Sequence, residues 1–233
     1  MTADPRLIVP LDLPTVEEAR DMVQRLGDAV SFYKIGLELL ASDGMTLARE
    51  LKASGKSIFL DWKLHDIGAT VERSARVLAQ SGCDLLTVHA EPQVMRAAVQ
   101  ARGDSSLKIL AVTVLTSLTD ADLIEMGYAF GARDLVERRV RQAIDCGVDG
   151  IVSSPHEAAL AREIAQGAGK PDFLIVTPGV RPFWAAKNDQ ARAATPEAAI
   201  RAGASHLVCG RPITAANDPR EAALKVVAEM AGL

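Results

Sequence analysis

Short runs of apolar and β-branched residues recur along the chain, at Leu7–Leu13, Phe32–Leu39, Ser57–Leu64, Leu85–Ala90, Ile109–Thr116, Gly150–Ser154, Phe173–Thr177 and His206–Gly210. Each has the length of a strand. Apolarity that is continuous rather than alternating predicts a parallel sheet covered on both faces. Between the runs, apolar residues fall at helical spacing in Thr15–Leu26, Asp43–Ala53, Ala69–Gln80, Pro92–Ala101, Leu135–Ile144, Pro155–Ala165 and Pro196–Ala202, and Arg220–Met230 follows the last strand. A further short helix is expected around Ala121–Met126, inside the long connection Thr116–Arg133. The joints repeat as well. Ser81-Gly82-Cys83-Asp84, Cys146-Gly147-Val148-Asp149 and Ala202-Gly203-Ala204-Ser205 each set glycine at a helix end just before a strand. One βα unit used eight times predicts a single-domain (β/α)8 TIM barrel over residues 1–233. An open nucleotide-binding sheet fits less well, because no G-x-G-x-x-G follows a strand and Gly167-Ala168-Gly169-Lys170 lacks P-loop spacing.

Composition narrows the picture without changing it. An apolar share of 48% against 24% charged excludes a disordered or low-complexity chain. The 26 Lys and Arg against 30 Asp and Glu give a net charge of −4, which argues against nucleic acid or an anionic membrane surface as the main partner. No apolar run approaches the roughly 20 residues of a bilayer span. The start Met1-Thr2-Ala3-Asp4-Pro5 lacks the basic and apolar regions of a secretory leader, so a cytoplasmic protein is expected. Cys83, Cys146 and Cys209 are odd in number and widely spaced. They are expected to be buried small hydrophobes rather than a disulfide framework or zinc ligands.

Barrels of this kind do chemistry at the C-terminal ends of their strands. There the apolar runs are interrupted by Asp12, Lys34, Asp61 and Lys63, and Asp66 follows in the next loop. Strand alternation puts Asp61 and Lys63 on one face and Trp62 on the other. Two lysines would then meet three carboxylates. A charge network that merely closes the barrel is one account, but desolvating several ions is expensive and apolar residues would close it as stably. Clustered carboxylates raise one another's cost of ionisation, and lysines between them keep them charged and can donate protons. On the far side, Thr177-Pro178-Gly179-Val180-Arg181-Pro182 and Cys209-Gly210-Arg211-Pro212-Ile213 follow the seventh and eighth strands. Loops at those places commonly bind phosphate, and Arg181 and Arg211 beside glycines suit a dianion better than they suit plain surface. The long non-periodic stretch Pro178–Ala194 is expected to be a functional loop. His65-Asp66 matches the pair of metal phosphohydrolases but leaves a strand instead of sitting on a helix. His89, His156 and His206 stand singly and read as structural, and Ser153-Ser154 lacks a nucleophile-elbow frame.

The pattern Asp61-x-Lys63-x-x-Asp66, preceded by Asp12 and Lys34, closely resembles the orotidine 5′-phosphate decarboxylase family. Further matches are Leu115-Thr116-Ser117, Pro178-Gly179-Val180-Arg181-Pro182, Gln190 and Gly210-Arg211, so the resemblance runs through essentially the whole chain. It implies conversion of orotidine 5′-monophosphate to uridine 5′-monophosphate and carbon dioxide, with no cofactor and no metal. By position it implies that Lys63 protonates C6, that Asp61 and Asp66 hold that lysine, and that Asp61 crowds the substrate carboxylate. It implies that Asp12 and Lys34 contact the ribose, that Thr116 reads the pyrimidine, that Pro178 lies in the substrate site, and that Arg181, Gln190, Gly210 and Arg211 hold the phosphate. It also implies a homodimer in which Asp66 and Thr70 enter the partner's site. Rival readings are a metal-dependent sugar-phosphate decarboxylase or aldolase, a Schiff-base aldolase, and a non-catalytic phosphate-binding barrel. The first would want a carboxylate where Lys34 stands, the second a lysine less firmly protonated than Lys63, and the third leaves the charged mouth without a purpose.

Overall fold

Eight parallel strands close on themselves in chain order. The computed structural model describes residues 3–185 and 194–232. Its strands are β1 (Leu7–Pro10), β2 (Phe32–Ile35), β3 (Ser57–Leu64), β4 (Leu85–His89), β5 (Lys108–Val112), β6 (Gly150–Val152), β7 (Leu174–Pro178) and β8 (His206–Val208). Because β1 pairs with both β2 and β8, the sheet has no edge, and the architecture is a (β/α)8 barrel.

The helices are α1 (Val16–Leu26), α2 (Leu37–Leu40), α3 (Gly44–Ala53), α4 (Gly68–Ala79), α5 (Pro92–Arg102), α6 (Asp120–Glu125), α7 (Ala132–Asp145), α8 (Ala158–Gly167), α9 (Pro196–Arg201), α10 (Arg211–Thr214) and α11 (Pro219–Met230). Local chemistry starts several of them. Thr15, Thr195 and Asp218 cap α1, α9 and α11 by accepting backbone N–H groups of the first turn, and Thr119 with Asp122 forms a reciprocal capping box on α6. Proline stands in the first turn of α5, α9 and α11, where its missing N–H is not needed.

The strand pleat divides the core in two. One face of each strand, carrying residues such as Val9, Tyr33, Leu60, Leu86, Ala111, Ile151, Ile175 and Leu207, packs outward against the helices. The other face supplies a separate inner cluster of Ile8, Phe32, Phe59, Leu85, Leu110, Val176 and Val208, with Val152 and Leu174 against it. This inner cluster plugs the barrel. Two residues further along β2, β3 and β4, the same inward face carries Lys34, Asp61 and Thr87, so the plug is the floor on which polar groups stand.

The strands stop earlier than the hydrophobic pattern suggests. Leu11, Leu39 and Val114 are as buried as strand residues, yet all three lie beyond the last ladder pairs of their strands. The pattern reports burial, which the loops closing over the barrel share, so Asp12 and Thr116 lie in loops and Leu37–Leu40 forms a helical turn where an extended strand is expected. The three cysteines are free and buried, in agreement with their spacing.

At the narrowest joint, Gly150 pairs with Leu174, and a Cβ there would come within 2.4 Å of the Leu174 carbonyl oxygen and 2.5 Å of its Cβ. Replacing Gly150 by Ala is expected to destabilise the fold by about 1 to 3 kcal/mol through overpacking. Gly167→Ala, whose Cβ would meet nothing within 4 Å, should leave stability unchanged or slightly raised. Denaturant midpoints of the two variants check this.

Candidate active site

Above the apolar plug opens a cavity of about 390 Å³, lined by residues from both sides of the barrel. Its charged wall comes from β1 to β3. Lys34 is buried, and its Nζ donates to Asp12 Oδ1 at 2.9 Å and lies 3.4 Å from Asp61 Oδ2. Asp61 Oδ1 accepts from Lys63 Nζ at 2.9 Å. The result is a continuous chain of alternating charge from Asp12 through Lys34 and Asp61 to Lys63. Burial pushes the Asp61 carboxyl up, but the Lys34 and Lys63 ammoniums and the hydrogen bonds from Lys63 and Thr87 outweigh it, holding the group below its ordinary value. The carboxylate is therefore ionised at neutral pH.

Asp61 and Lys63 meet, as expected, but not through regular alternation. The β3–β4 register runs Leu60↔Leu86 and then Leu64↔Val88, so Asp61, Trp62 and Lys63 stand opposite the single residue Thr87. This bulge puts Lys63 at φ 48°, a left-handed conformation that costs a non-glycine residue about 1 to 3 kcal/mol. Thr87, fully buried, answers it. Its hydroxyl accepts the Lys63 backbone N–H at 2.9 Å and donates to Asp61 Oδ1 at 3.1 Å, tying the distorted backbone to the carboxylate. Gly36 matters too: a Cβ there would lie 2.6 Å from Asp12 Oδ1 and 3.0 Å from Lys34 Nζ, so a larger residue would push the ends of both side chains from their present places. Neither residue is singled out by the sequence reading. The available signals are a threonine interrupting Leu85–Val88 on the inward face and a glycine directly after the lysine strand.

The opposite wall holds Thr116 beside Val114 and Leu115, then Pro178, Gly179, Arg181, Gly210 and Arg211. Gly179 adopts φ 78° immediately after β7, a turn that glycine makes without strain. Val180 bridges to Ala194, and the Arg181 N–H donates to the Ala194 carbonyl at 2.9 Å, which pins the base of the intervening loop. Gln190 lies outside the described residues.

Asp66 and Thr70 do not join the cavity. The Asp66 side chain is exposed and accepts the Ile67 N–H at 2.7 Å at the entry to α4, so it makes no ion pair with Lys63 of its own chain. The β3–α4 turn carries the carboxylate outward, away from the lysine of its own chain. Thr70 sits on α4 and accepts from Arg73. The histidines are structural or peripheral. His206 lies beneath the plug, edge-on to Phe32 with ring centroids 5.9 Å apart, and burial pushes its pKa down to about 4. His65 stacks on His89 at 4.6 Å. Among the described residues no group of three or more His, Cys, Asp or Glu side chains could hold a metal ion.

Residues 5–226 match the family model described as orotidine 5′-phosphate decarboxylase / HUMPS family. The chain belongs to this family. A Caulobacter vibrioides protein named orotidine 5′-phosphate decarboxylase is 89% identical over 233 residues, with both chains fully covered. A protein of the same name from a further Caulobacter species is 82% identical over the same span. The crystal structure of orotidine 5′-phosphate decarboxylase from Lactobacillus acidophilus superposes with a TM-score of 0.82 at 37% identity, covering 97% of this chain and 99% of that one.

For this member of the orotidine 5′-phosphate decarboxylase / HUMPS family, Thr87 gives the most direct test of the bulge. Thr87→Val keeps the shape but leaves the Lys63 N–H without its acceptor, and it is expected to lower stability by about 1 to 3 kcal/mol. Thr87→Ser, which retains the hydroxyl, should recover most of the loss. Equilibrium denaturation of both variants supplies the comparison.

Proposed function

We propose that this chain decarboxylates orotidine 5′-monophosphate to uridine 5′-monophosphate, the step that makes UMP in pyrimidine biosynthesis. The observation that carries the reading is the Lys63 ammonium, held 2.9 Å from Asp61 in a cavity whose opposite wall presents Arg181 and Arg211. A phosphate and a reacting carbon can thus be gripped by separate groups of one site. The whole chain, residues 1–233, acts as one catalytic domain.

In the mechanism, the bond between C6 and the carboxylate carbon breaks, carbon dioxide departs, and the electron pair left on C6 takes a proton from Lys63 Nζ. An ammonium already placed beside that carbon stabilises the developing carbanion before it delivers the proton. Asp61 holds the ammonium and faces the substrate carboxylate, so repulsion between the two carboxylates is relieved as carbon dioxide leaves. Asp12 and Lys34 hold the ribose hydroxyls and Thr116 the pyrimidine edge. Pro178 shapes the wall, and Arg181, Gln190, Gly210 and Arg211 take the phosphate. Phosphate contacts remote from C6 supply binding energy that offsets assembly of the charged site.

No metal or cofactor enters this reading. Lys34, whose Nζ stands between the carboxylates of Asp12 and Asp61, is a cation where a metal-dependent sugar-phosphate decarboxylase or aldolase of the same barrel type would want a carboxylate. The functional unit is a homodimer. Asp66 turns away from its own lysine, and on the same flank Ile67, just before α4, and Val77, on it, are 67% and 68% exposed on either side of Thr70, a face that suits a second copy. Asp66 and Thr70 would complete the partner's site. The enzyme is cytoplasmic in this reading, in keeping with its small-molecule substrate. Among the described residues no helix is long and apolar enough to cross a membrane.

Loss of orotidine 5′-monophosphate followed by ultraviolet absorbance in the presence of EDTA tests the activity. Turnover is expected to persist; activity abolished by chelation and restored by magnesium would favour the metal-dependent reading. Lys63→Ala should lower kcat by several powers of ten, each worth about 1.4 kcal/mol of barrier. Folded variant that keeps more than about a tenth of its kcat would remove Lys63 as the proton donor, because a positioned acid contributes roughly a hundredfold or more.

The shared site has its own test. Inactive Asp66→Asn and inactive Lys63→Ala subunits, mixed under conditions of subunit exchange, should regain activity, since a hybrid dimer contains one site with both residues intact. Demonstrated exchange without recovered turnover would reject a site built across the interface.

A further inference from the structure

One buried cation, outside the catalytic charge chain, sits where three segments at the C-terminal end of the barrel come together. Arg139 projects from α7, and its side chain is 12% exposed. Its Nη1 donates to the backbone carbonyl of Thr113. Its Nη2 donates to the Tyr128 hydroxyl at 3.0 Å and lies 3.7 Å from Glu91 Oε1. The guanidinium carbon stands 5.3 Å from the centre of the Tyr128 ring. Glu91 also lies 3.6 Å from His65 Nε2, two residues after Lys63.

The position of Thr113 gives these contacts their meaning. It is the first residue beyond β5, and it is followed by Val114, Leu115 and Thr116, which line the cavity. Its N–H and hydroxyl both donate to the Val152 carbonyl of β6, at 3.2 and 3.0 Å. Its own carbonyl points away from that pairing and is taken by Arg139. Tyr128 lies near the other end of the β5–α7 connection, so one guanidinium grips both ends of the segment that carries Thr116.

We infer that Arg139 is a positioning residue for the nucleobase. It touches no cavity-lining side chain; it fixes the backbone from which Val114 to Thr116 reach the cavity. A planar guanidinium presents its donors as a rigid fork, so it holds the Thr113 carbonyl and the Tyr128 hydroxyl at a fixed separation while facing Glu91. Burying this charge is unfavourable unless its donors are used, so the two acceptors, the nearby Glu91 carboxylate and the ring face account for its place in the structure. The inference rests on the proposed reading of the site as a nucleotide site, and it deepens that reading by naming what sets base selectivity. The phosphate grip, on β7 and β8 across the barrel, is independent of it.

The test separates base from phosphate. Binding of UMP and of ribose 5-phosphate is measured by calorimetry on wild-type and Arg139→Met protein, together with KM and kcat for orotidine 5′-monophosphate. The variant is expected to bind UMP about tenfold or more weakly, the size expected from loss of a charge-assisted hydrogen bond. Its affinity for ribose 5-phosphate should stay within about twofold of wild type, since the phosphate groups are untouched. KM should rise more than kcat falls. Equal weakening of both ligands, or unchanged UMP binding, overturns the assignment. Should Arg139→Met not fold, Tyr128→Phe is read the same way: it keeps the ring and removes one acceptor, and a selective loss for UMP supports the assignment while no selective loss rejects it. Failure of the nucleotide reading itself would show in the wild-type protein, as equal affinity for UMP and ribose 5-phosphate.

Discussion

A carboxylate with 14% of its side chain exposed, set between two ammonium groups, is held as an ion by their charge against the cost of burial. Asp61 is in that position, and much of the local architecture serves it. The apolar plug of Ile8, Phe32, Phe59 and their neighbours excludes water from below. Lys34 and Lys63 supply charge from the side, and Thr87 adds a hydrogen bond from the adjacent strand. Take away either cation and Asp61 keeps only one of its two compensating charges, which weakens the cluster. Because the barrel is closed, each contributor is held at a fixed height, and the charge chain needs no loop to assemble its Lys34 and Asp61 core.

The division of labour follows from the same geometry. Groups suited to chemistry stand just after β1 and on β2 and β3, and groups suited to an anion stand after β7 and β8, with an apolar floor beneath both. A ligand spanning the cavity is gripped at one end and strained or polarised at the other, so binding and chemistry can be altered separately. The bridge between Val180 and Ala194 serves this separation by closing the loop at its root.

Much of this was legible in the amino-acid sequence because barrel strands are repetitive and buried on both faces. The order of elements, the C-terminal location of the charges, and the two arginine-bearing loops all follow from runs, glycines and spacing. What escaped has physical causes. Leu11, Leu39 and Val114 are buried loop residues, and burial cannot distinguish a strand from a loop packed over it. The meeting of Asp61 with Lys63 was anticipated on the assumption of a regular pleat, whereas the actual route is a bulge that no local pattern announces. Gly36 and Thr87 matter through atoms contributed by other strands, so their roles exist only once the barrel is closed. Asp66 was grouped with its neighbours in sequence, but the turn into α4 sends it outward.

The left-handed backbone of Lys63 places competing pressures on one codon. Glycine reaches that conformation without strain but would leave Asp61 with one neighbouring ammonium instead of two, so relief of the backbone and loss of charge compensation oppose one another at this position. Loss of the lysine under relaxed selection would therefore need a second change, at Asp61, before it relieved the fold. Thr87 and Gly36, whose contacts are tied to the charged arrangement, would be released only then.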